Sequence, residues 1–344
     1  MDRYLLTMFT DQPRRFRVIE NLVRNKRTQA NLFWGLNYQL LNWSGSNNHL
    51  SRQKFDQWLS SQQRAGSLMI DGNYAWLTDA GMQQKQSCLQ SMYQPYNSQW
   101  SWLINQQKFA DRFLLGVQAA SELAHRHRHY VPLNISSTEM VTVRKWLANP
   151  QITNKLEIEL QMIGQKLARE DVRLAEFFAH RLIGYRTAGW TNQQAQLTLK
   201  LSADEIQILN WDVWLGVASY LKMHSQCHLY RLMENLIAQI PISNSAWQTL
   251  QDFQEGVTIQ TIAHRRHLKV STVREHLLEA AIIIPQAIDW NRLLPWTAEQ
   301  QLRDRYSGPV EEWHFKSVTT DSAADFFSFR LYQIKELQQS HGAI

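Results

Sequence analysis

Leu32, Leu36, Leu40 and Trp43 recur at helical spacing after Thr28, a residue type that caps helix starts, so "TQANLFWGLNYQLLNW" predicts a helix. Ser51 caps a second, "LSRQKFDQWLSSQQRAG", whose Phe55, Trp58 and Leu59 share one face and whose end is marked by Gly66. The pattern then changes period. In "SLMIDGNYAWLT" the apolar Met69, Ile70, Tyr74 and Trp76 flank the turn residues Asp71, Gly72 and Asn73, which predicts a hairpin. "DAGMQQKQSC" returns to a helix. Two helices, a hairpin and a third helix over residues 28–92 predict a winged-helix domain with the hairpin as its wing.

Residues 93–241 read as an all-helical domain, a bundle or a short solenoid. Its helices are "QQKFADRFLLGVQAASELAHRHRHY", "TNKLEIELQMIGQKLA", "EDVRLAEFFAHRLIGYRTAG", "SADEIQILNWDVWLGVASYLKM" and "CHLYRLMENLIAQI". Ser202 and Glu205 have capping-box spacing, so the carboxylates of Asp204 and Glu205 belong to a first helical turn. Residues 242–344 begin with a helix from about Ser245 to Gln254, stopped by Gly256. They end on "SAADFFSFRLYQIKEL", where Phe326, Phe327, Phe329, Ile334 and Leu337 predict a docked helix.

Between these lies "GVTIQTIAHRRHLKVSTVREHLLEAAI". Thr258 starts a short helix with Ile259, Ile262 and the small Ala263 facing inward. Leu268 and Val270 plug the junction. Ser271 is expected to cap the next helix, in which Val273 and Leu277 share a face. The pattern is a helix-turn-helix. The start of its second helix presents Ser271, Thr272, Arg274 and Glu275. Arg265, Arg266 and Lys269 lie in and before the turn, where phosphates would be met. The candidate DNA-binding residues are therefore Arg265, Arg266, Lys269, Ser271, Thr272 and Arg274. The same charges also suit a module that binds protein. His276 falls on the packed side, and His264 and His267 on the surface.

The fold class is thus mainly α and multi-domain: a winged helix, a central helical bundle and a C-terminal helix-turn-helix. Residues 1–27 add a basic segment, with Arg14, Arg15, Arg17, Arg24, Lys26 and Arg27 against Glu20, read either as a solvated helix face or as a phosphate contact. The net charge of +6 over 344 residues suits an anionic partner, nucleic acid first. Cys88 and Cys227 fit no metal or redox spacing, which points to a reducing compartment. The apolar run in "MDRYLLTMF" is short for a signal peptide, and "AAIIIP" falls well below the roughly 20 residues of a membrane span. A cytoplasmic protein, nucleoid-associated when bound to DNA, is expected.

The chain has no G-x-x-x-x-G-K-[ST] phosphate loop, no H-E-x-x-H and no G-x-S-x-G, so an ATP-driven motor, a zinc protease and a serine hydrolase are not expected. No cofactor is implied. In "HRHRH", His125 and His129 would share a helix face at a spacing that can hold a metal, but no third ligand is evident. A basic helix end or a contact with a partner is the plainer reading.

Gly256, Ile262-Ala263, Arg266, Leu268, Ser271-Thr272 and His276-Leu277 resemble the helix-turn-helix appended to the C-terminus of RecQ-type helicases. They also resemble the stand-alone YpbB-like family, which is encoded beside such helicases. The resemblance spans roughly 243–338, continuing through "IDWNRLLP" to "FFSFRLYQIKEL". Earlier residues, including "TAGWTNQQAQLTLKLSADEI", are more loosely similar. Response-regulator transcription factors share the Ile-Ala and Ser-Thr-Val pattern, but the long helical region lacks their βα alternation. The resemblance implies a non-enzymatic accessory protein that docks a RecQ-family helicase in repair or recombination and contacts DNA phosphates weakly and with little sequence preference. A sequence-specific transcriptional regulator and a protein-only adaptor stand as alternatives.

Overall fold

In the computed structural model the described residues are 1–149, 152–317 and 321–342. Helices dominate them. The first part of the chain gives α1 (Asp2–Thr7), β1 (Arg14–Arg15), α2 (Phe16–Val23), α3 (Gln29–Asn37), α4 (Arg52–Arg64), β2 (Leu68–Asp71), β3 (Tyr74–Leu77) and α5 (Asp79–Ser91). The middle gives α6 (Gln106–Ala124), α7 (Ser137–Leu147), α8 (Ile152–Glu170), α9 (Val172–Arg181), α10 (Asn192–Leu199), α11 (Ala203–Met223) and α12 (His228–Met233). The last part gives α13 (Asn244–Gln254), α14 (Ile259–Arg265), α15 (Val270–Ile283), α16 (Trp290–Leu293), α17 (Trp296–Arg303) and α18 (Ser322–Ser340).

The chain forms two compact units that do not follow the expected boundaries. The first holds Met1–Phe16 and Gly45–Gln239, the second Arg17–Ser44 and Ile240–Ile344. The helix begun by Thr28 is therefore not part of one 28–92 module with the hairpin. Its Leu32, Phe33 and Leu36 are buried in the core of the second unit. Nor are residues 1–27 one basic segment. In α1 and just after it, Tyr4, Leu5, Leu6, Met8 and Phe9 are buried, and the Tyr4 hydroxyl donates to the Tyr93 carbonyl at 2.7 Å. In α2, Arg17 and Arg24 both pair with the buried Glu20, at 2.8 and 2.6 Å. Cationic side chains so engaged are structural rather than solvated.

In the first unit the hairpin forms as its sequence predicts. Met69 pairs with Trp76 and Asp71 with Tyr74, and Gly72 takes a positive φ in the turn. The sequence pattern missed a third strand: Arg14 and Arg15 pair with Ala75 and Tyr74, so the order is β1-β3-β2, all antiparallel. The bundle is built on α11, which is apolar nearly all round and therefore enclosed. Trp214 meets Phe109, Phe113 and Phe178 edge-on or tilted, joining α6 and α9 to α11. Asp212 on the same helix is fully buried and accepts from the Tyr93 hydroxyl and from the backbone N–H groups of Tyr96 (2.8 Å) and Asn97 (2.7 Å). Those donors satisfy a carboxylate whose charged form burial disfavours.

Four predicted helices stop early: the one begun at Thr28 ends at Asn37, "CHLYRLMENLIAQI" is α-helical only to Met233, and two others have a visible stop. The one running into "HRHRH" ends at Ala124. Arg126 takes a left-handed φ of +56°, and His127 N–H reaches back to the Glu122 carbonyl at 2.9 Å, closing the end. His125 and His129 consequently do not share a helix face. The helix through "FFAHRLIGYRTAG" ends at Arg181, after which Gly184 and Thr187 exchange backbone hydrogen bonds around a tight turn. Helix α7, started by a Ser136 cap, was not expected from the pattern.

The second unit has α15 at its centre. Val273, Leu277, Leu278, Ala280, Ala281 and Ile282 are buried there against residues of α3, α13, α14 and α18. The final helix docks, as its aromatic pattern predicts. Phe327, Leu331, Tyr332, Ile334 and Leu337 enter the same core, and the Arg330 guanidinium lies 3.6 Å from the centre of the Phe33 ring on α3. No helix among the described residues is long and apolar enough to cross a membrane.

Candidate nucleic-acid interface

The helix-turn-helix is shaped by two helix ends and two helix starts. Helix α13 closes with Val257 N–H bonded to the Asp252 carbonyl at 3.1 Å, which requires the left-handed residue Gly256, φ +102°. Thr258 then starts α14 by accepting from the Thr261 N–H at 3.2 Å. Ile262 and Ala263 are buried, and the small Ala263 lets α15 cross closely. The end of α14 repeats the same closure. Leu268 N–H bonds the Ala263 carbonyl at 2.9 Å and His267 N–H the His264 carbonyl at 3.3 Å, with His267 left-handed at φ +52°. A non-glycine residue there carries strain of about 1 kcal/mol.

Helix α15 starts two residues earlier than its sequence indicates, at Val270. Lys269, extended at φ −72° and ψ 146°, is the N-cap and makes no side-chain capping bond. Ser271 is thus inside the first turn rather than at the cap. Among the described residues no side chain accepts from the leading N–H groups of this helix, which leaves the positive end of the helix dipole open.

The six candidate residues separate into two sets. Arg265, Lys269 and Ser271 are exposed and Thr272 is half-buried beside them. Arg266 instead turns back onto α13. It donates to the Ser245 carbonyl and hydroxyl, both at 3.0 Å, to Gln248 Oε1 at 3.2 Å and to the Thr249 hydroxyl. Arg274 turns toward α18, with its Nη2 3.4 Å from Asp321 Oδ2 and its guanidinium 5.9 Å from the Phe327 ring centre. Asp321 caps α18 by accepting from the Ala324 N–H at 2.9 Å, and that bond, helped by Arg274, holds its carboxyl below the usual range. His276 is packed as expected, 2.9 Å from the Thr249 hydroxyl, and burial with Arg266 nearby pushes its imidazole below its ordinary value.

No local spacing in the sequence marks these roles. The partners of Arg266 and Arg274 lie 17–21 and 47 residues away. What stays accessible on α15 is its beginning: Ser271, Thr272 and the exposed Glu275. From Leu277 to Ile282 the helix is enclosed by its neighbours. A recognition helix reads bases through its N-terminal residues, and here those are the short polar Ser271 and Thr272 and the acidic Glu275. This one offers a tip, flanked by Arg265 and Lys269, with His264 and His267 exposed on the same turn. Such a tip can meet phosphate oxygens with two cations and helix N–H groups.

Known proteins share this region. A family model described as a helix-turn-helix domain matches residues 245–333. Protein YpbB of Bacillus subtilis (strain 168) is 25% identical over 238 residues, 66% of this chain and 65% of that protein. The match thus spans slightly less than two thirds of the relative. No solved structure matches. The chain therefore carries a helix-turn-helix domain in its C-terminal unit and is similar to YpbB over 66% of its length.

Proposed function

We propose that this chain is a non-enzymatic accessory protein of a RecQ-family DNA helicase, acting in DNA repair and recombination, whose helix-turn-helix grips DNA phosphates without reading sequence. The observation that carries the DNA part is the separation of the candidate residues. Arg265 and Lys269 face outward beside the open start of α15, while Arg266 and Arg274 are held internally. Two exposed cations and a helix tip favour weak, salt-sensitive binding over base readout. The helicase part is supported by the resemblance of the 256–277 pattern to the module appended to RecQ-type helicases. The first unit then serves as the helicase-docking body, and the protein works in the cytoplasm, on the nucleoid when DNA-bound. It needs no cofactor and no metal.

A transcriptional regulator is the second reading, favoured only by the exposed Ser271 and the half-buried Thr272 at the helix tip. Co-purification with the resident RecQ-type helicase, unwinding assays with and without the chain, and selection from random duplexes test the proposal together. The expected result is a helicase complex with altered unwinding and no selected consensus. Recovery of one palindromic site would replace it with the regulator. Helicase capture without any DNA retention at low salt would replace it with a protein-only adaptor.

A further inference from the structure

The first unit carries a second basic surface, built from two segments distant in sequence. After α6 ends, residues His125 to His129 run exposed along the surface. The turn at Gly184–Thr187 is set against the end of the same helix. Tyr185 N–H donates to the Ser121 hydroxyl at 3.1 Å. A Cβ at position 184 would lie 2.5 Å from Ser121 Oγ, so the turn seats here only because residue 184 is glycine. This seating brings Tyr185 under His125, with ring centres 4.5 Å apart and planes 18° from parallel. His127 meets the same ring edge-on at 5.5 Å, and the Arg186 guanidinium is 5.2 Å from its centre. His125 Nδ1 donates to the Ser121 carbonyl at 2.9 Å, which fixes the imidazole in its stacked orientation.

The charges around this stack are not neutralised within the described residues. Arg126, Arg128 and Arg186 are exposed, and among the described residues none of them is in an ion pair. The adjacent carboxylate, Glu122, is buried and occupied by His127 at 2.6 Å. An exposed flat ring fixed on another ring, bordered by unpaired guanidinium groups, is the combination that holds unpaired nucleotides: a base stacks on the ring and the backbone follows the cations. Duplex DNA would use only the cations, because its bases are already stacked. An acidic peptide would likewise ignore the ring.

We propose that the His125–His129 segment and the Tyr185–Arg186 turn form a second nucleic-acid contact, which takes single-stranded nucleic acid by stacking a base on His125 and meeting phosphates with Arg126, Arg128 and Arg186. This surface lies in the other unit from the helix-turn-helix and does not depend on the reading given to that domain.

The test uses the full chain carrying Arg265→Gln and Lys269→Gln, so that the helix-turn-helix tip contributes little. Binding of a fluorescein-labelled oligo-dT is followed by anisotropy at low salt. His125→Ala should weaken binding at least roughly fivefold and His125→Phe should keep it, since every base stacks on a flat ring. Arg128→Gln with Arg186→Gln should flatten the dependence of log K on log salt by about 0.7 per lost phosphate contact on a single strand. Thermal melts of each variant report folding. Should His125→Ala melt early, the exposed arginine pair decides the outcome alone. Unchanged affinity and salt slope in the arginine pair would overturn the proposal. So would a poly-glutamate peptide that competes as well as unlabelled oligo-dT, because that marks a site for acidic protein segments.

Discussion

Arg266 donates to the Ser245 carbonyl oxygen at 3.0 Å, tying the turn of the helix-turn-helix back to the helix that precedes it. The same guanidinium also holds the Ser245 hydroxyl, Gln248 and the fully buried Thr249 hydroxyl. Arg266→Ala leaves these acceptors to one another or to water and should cost about 2–3 kcal/mol. Lys should not restore the loss, because a single ammonium cannot span acceptors on three residues as a planar fork does. Thermal unfolding measures the cost. Duplex affinity of the folded variant should stay within roughly twofold of the parent, since this arginine does not face the outer surface.

Arg274 makes a different kind of tie. Its contact with Asp321 links the tip of α15 to the cap of α18. Arg274→Ala should therefore speed amide exchange over the first turn of α18, residues 322–326, with little effect on DNA binding. Loss of DNA affinity with unchanged exchange would reverse that assignment.

The pH dependence of the C-terminal unit has a defined sign at His276. Its folded value is depressed below the ordinary 6.5, first by burial and then by Arg266. The unfolded chain therefore takes up a proton at a higher pH than the folded one. Stability from this residue is flat above that value and falls as pH drops from 6.5 toward the lowered folded value. Urea midpoints between pH 5 and 8 should show a decline on the acid side that His276→Gln reduces.

Two left-handed residues flank α14 and predict different responses. Gly256, at φ +102°, should lose about 1–2 kcal/mol on change to Ala, because a Cβ is disfavoured in that conformation. His267, at φ +52°, already carries such strain. His267→Gly relieves about 1 kcal/mol but frees the unfolded chain by a similar amount, so its melting temperature should barely change.

Local features were legible in the sequence because local chemistry sets them. Thr28, Ser51, Thr258 and the Ser202–Glu205 box all cap the helices they announce. The hairpin follows from Gly72 and its flanking apolar residues, and the helix-turn-helix from Ile262, Ala263, Val273 and Leu277. What failed was long-range. The grouping of Leu32, Phe33 and Leu36 with residues beyond 240 leaves no mark in a periodicity, which only says that one face is apolar and not what covers it. The internal roles of Arg266 and Arg274 were hidden for the same reason: a basic residue near a turn reads as a phosphate contact until its distant acceptor is seen. Helix α6 is shorter than its pattern predicts because its stop is Arg126 in a left-handed conformation, where glycine is the usual signal.

The salt dependence of duplex binding by the parent and by the Arg265→Gln, Lys269→Gln variant tests the outward tip most directly. If these two cations each meet one phosphate, the variant's plot of log K against log salt should be shallower by about 1.8, roughly 0.9 per contact. Slopes that coincide would contradict the account, as would a loss of slope in Arg266→Ala or Arg274→Ala instead.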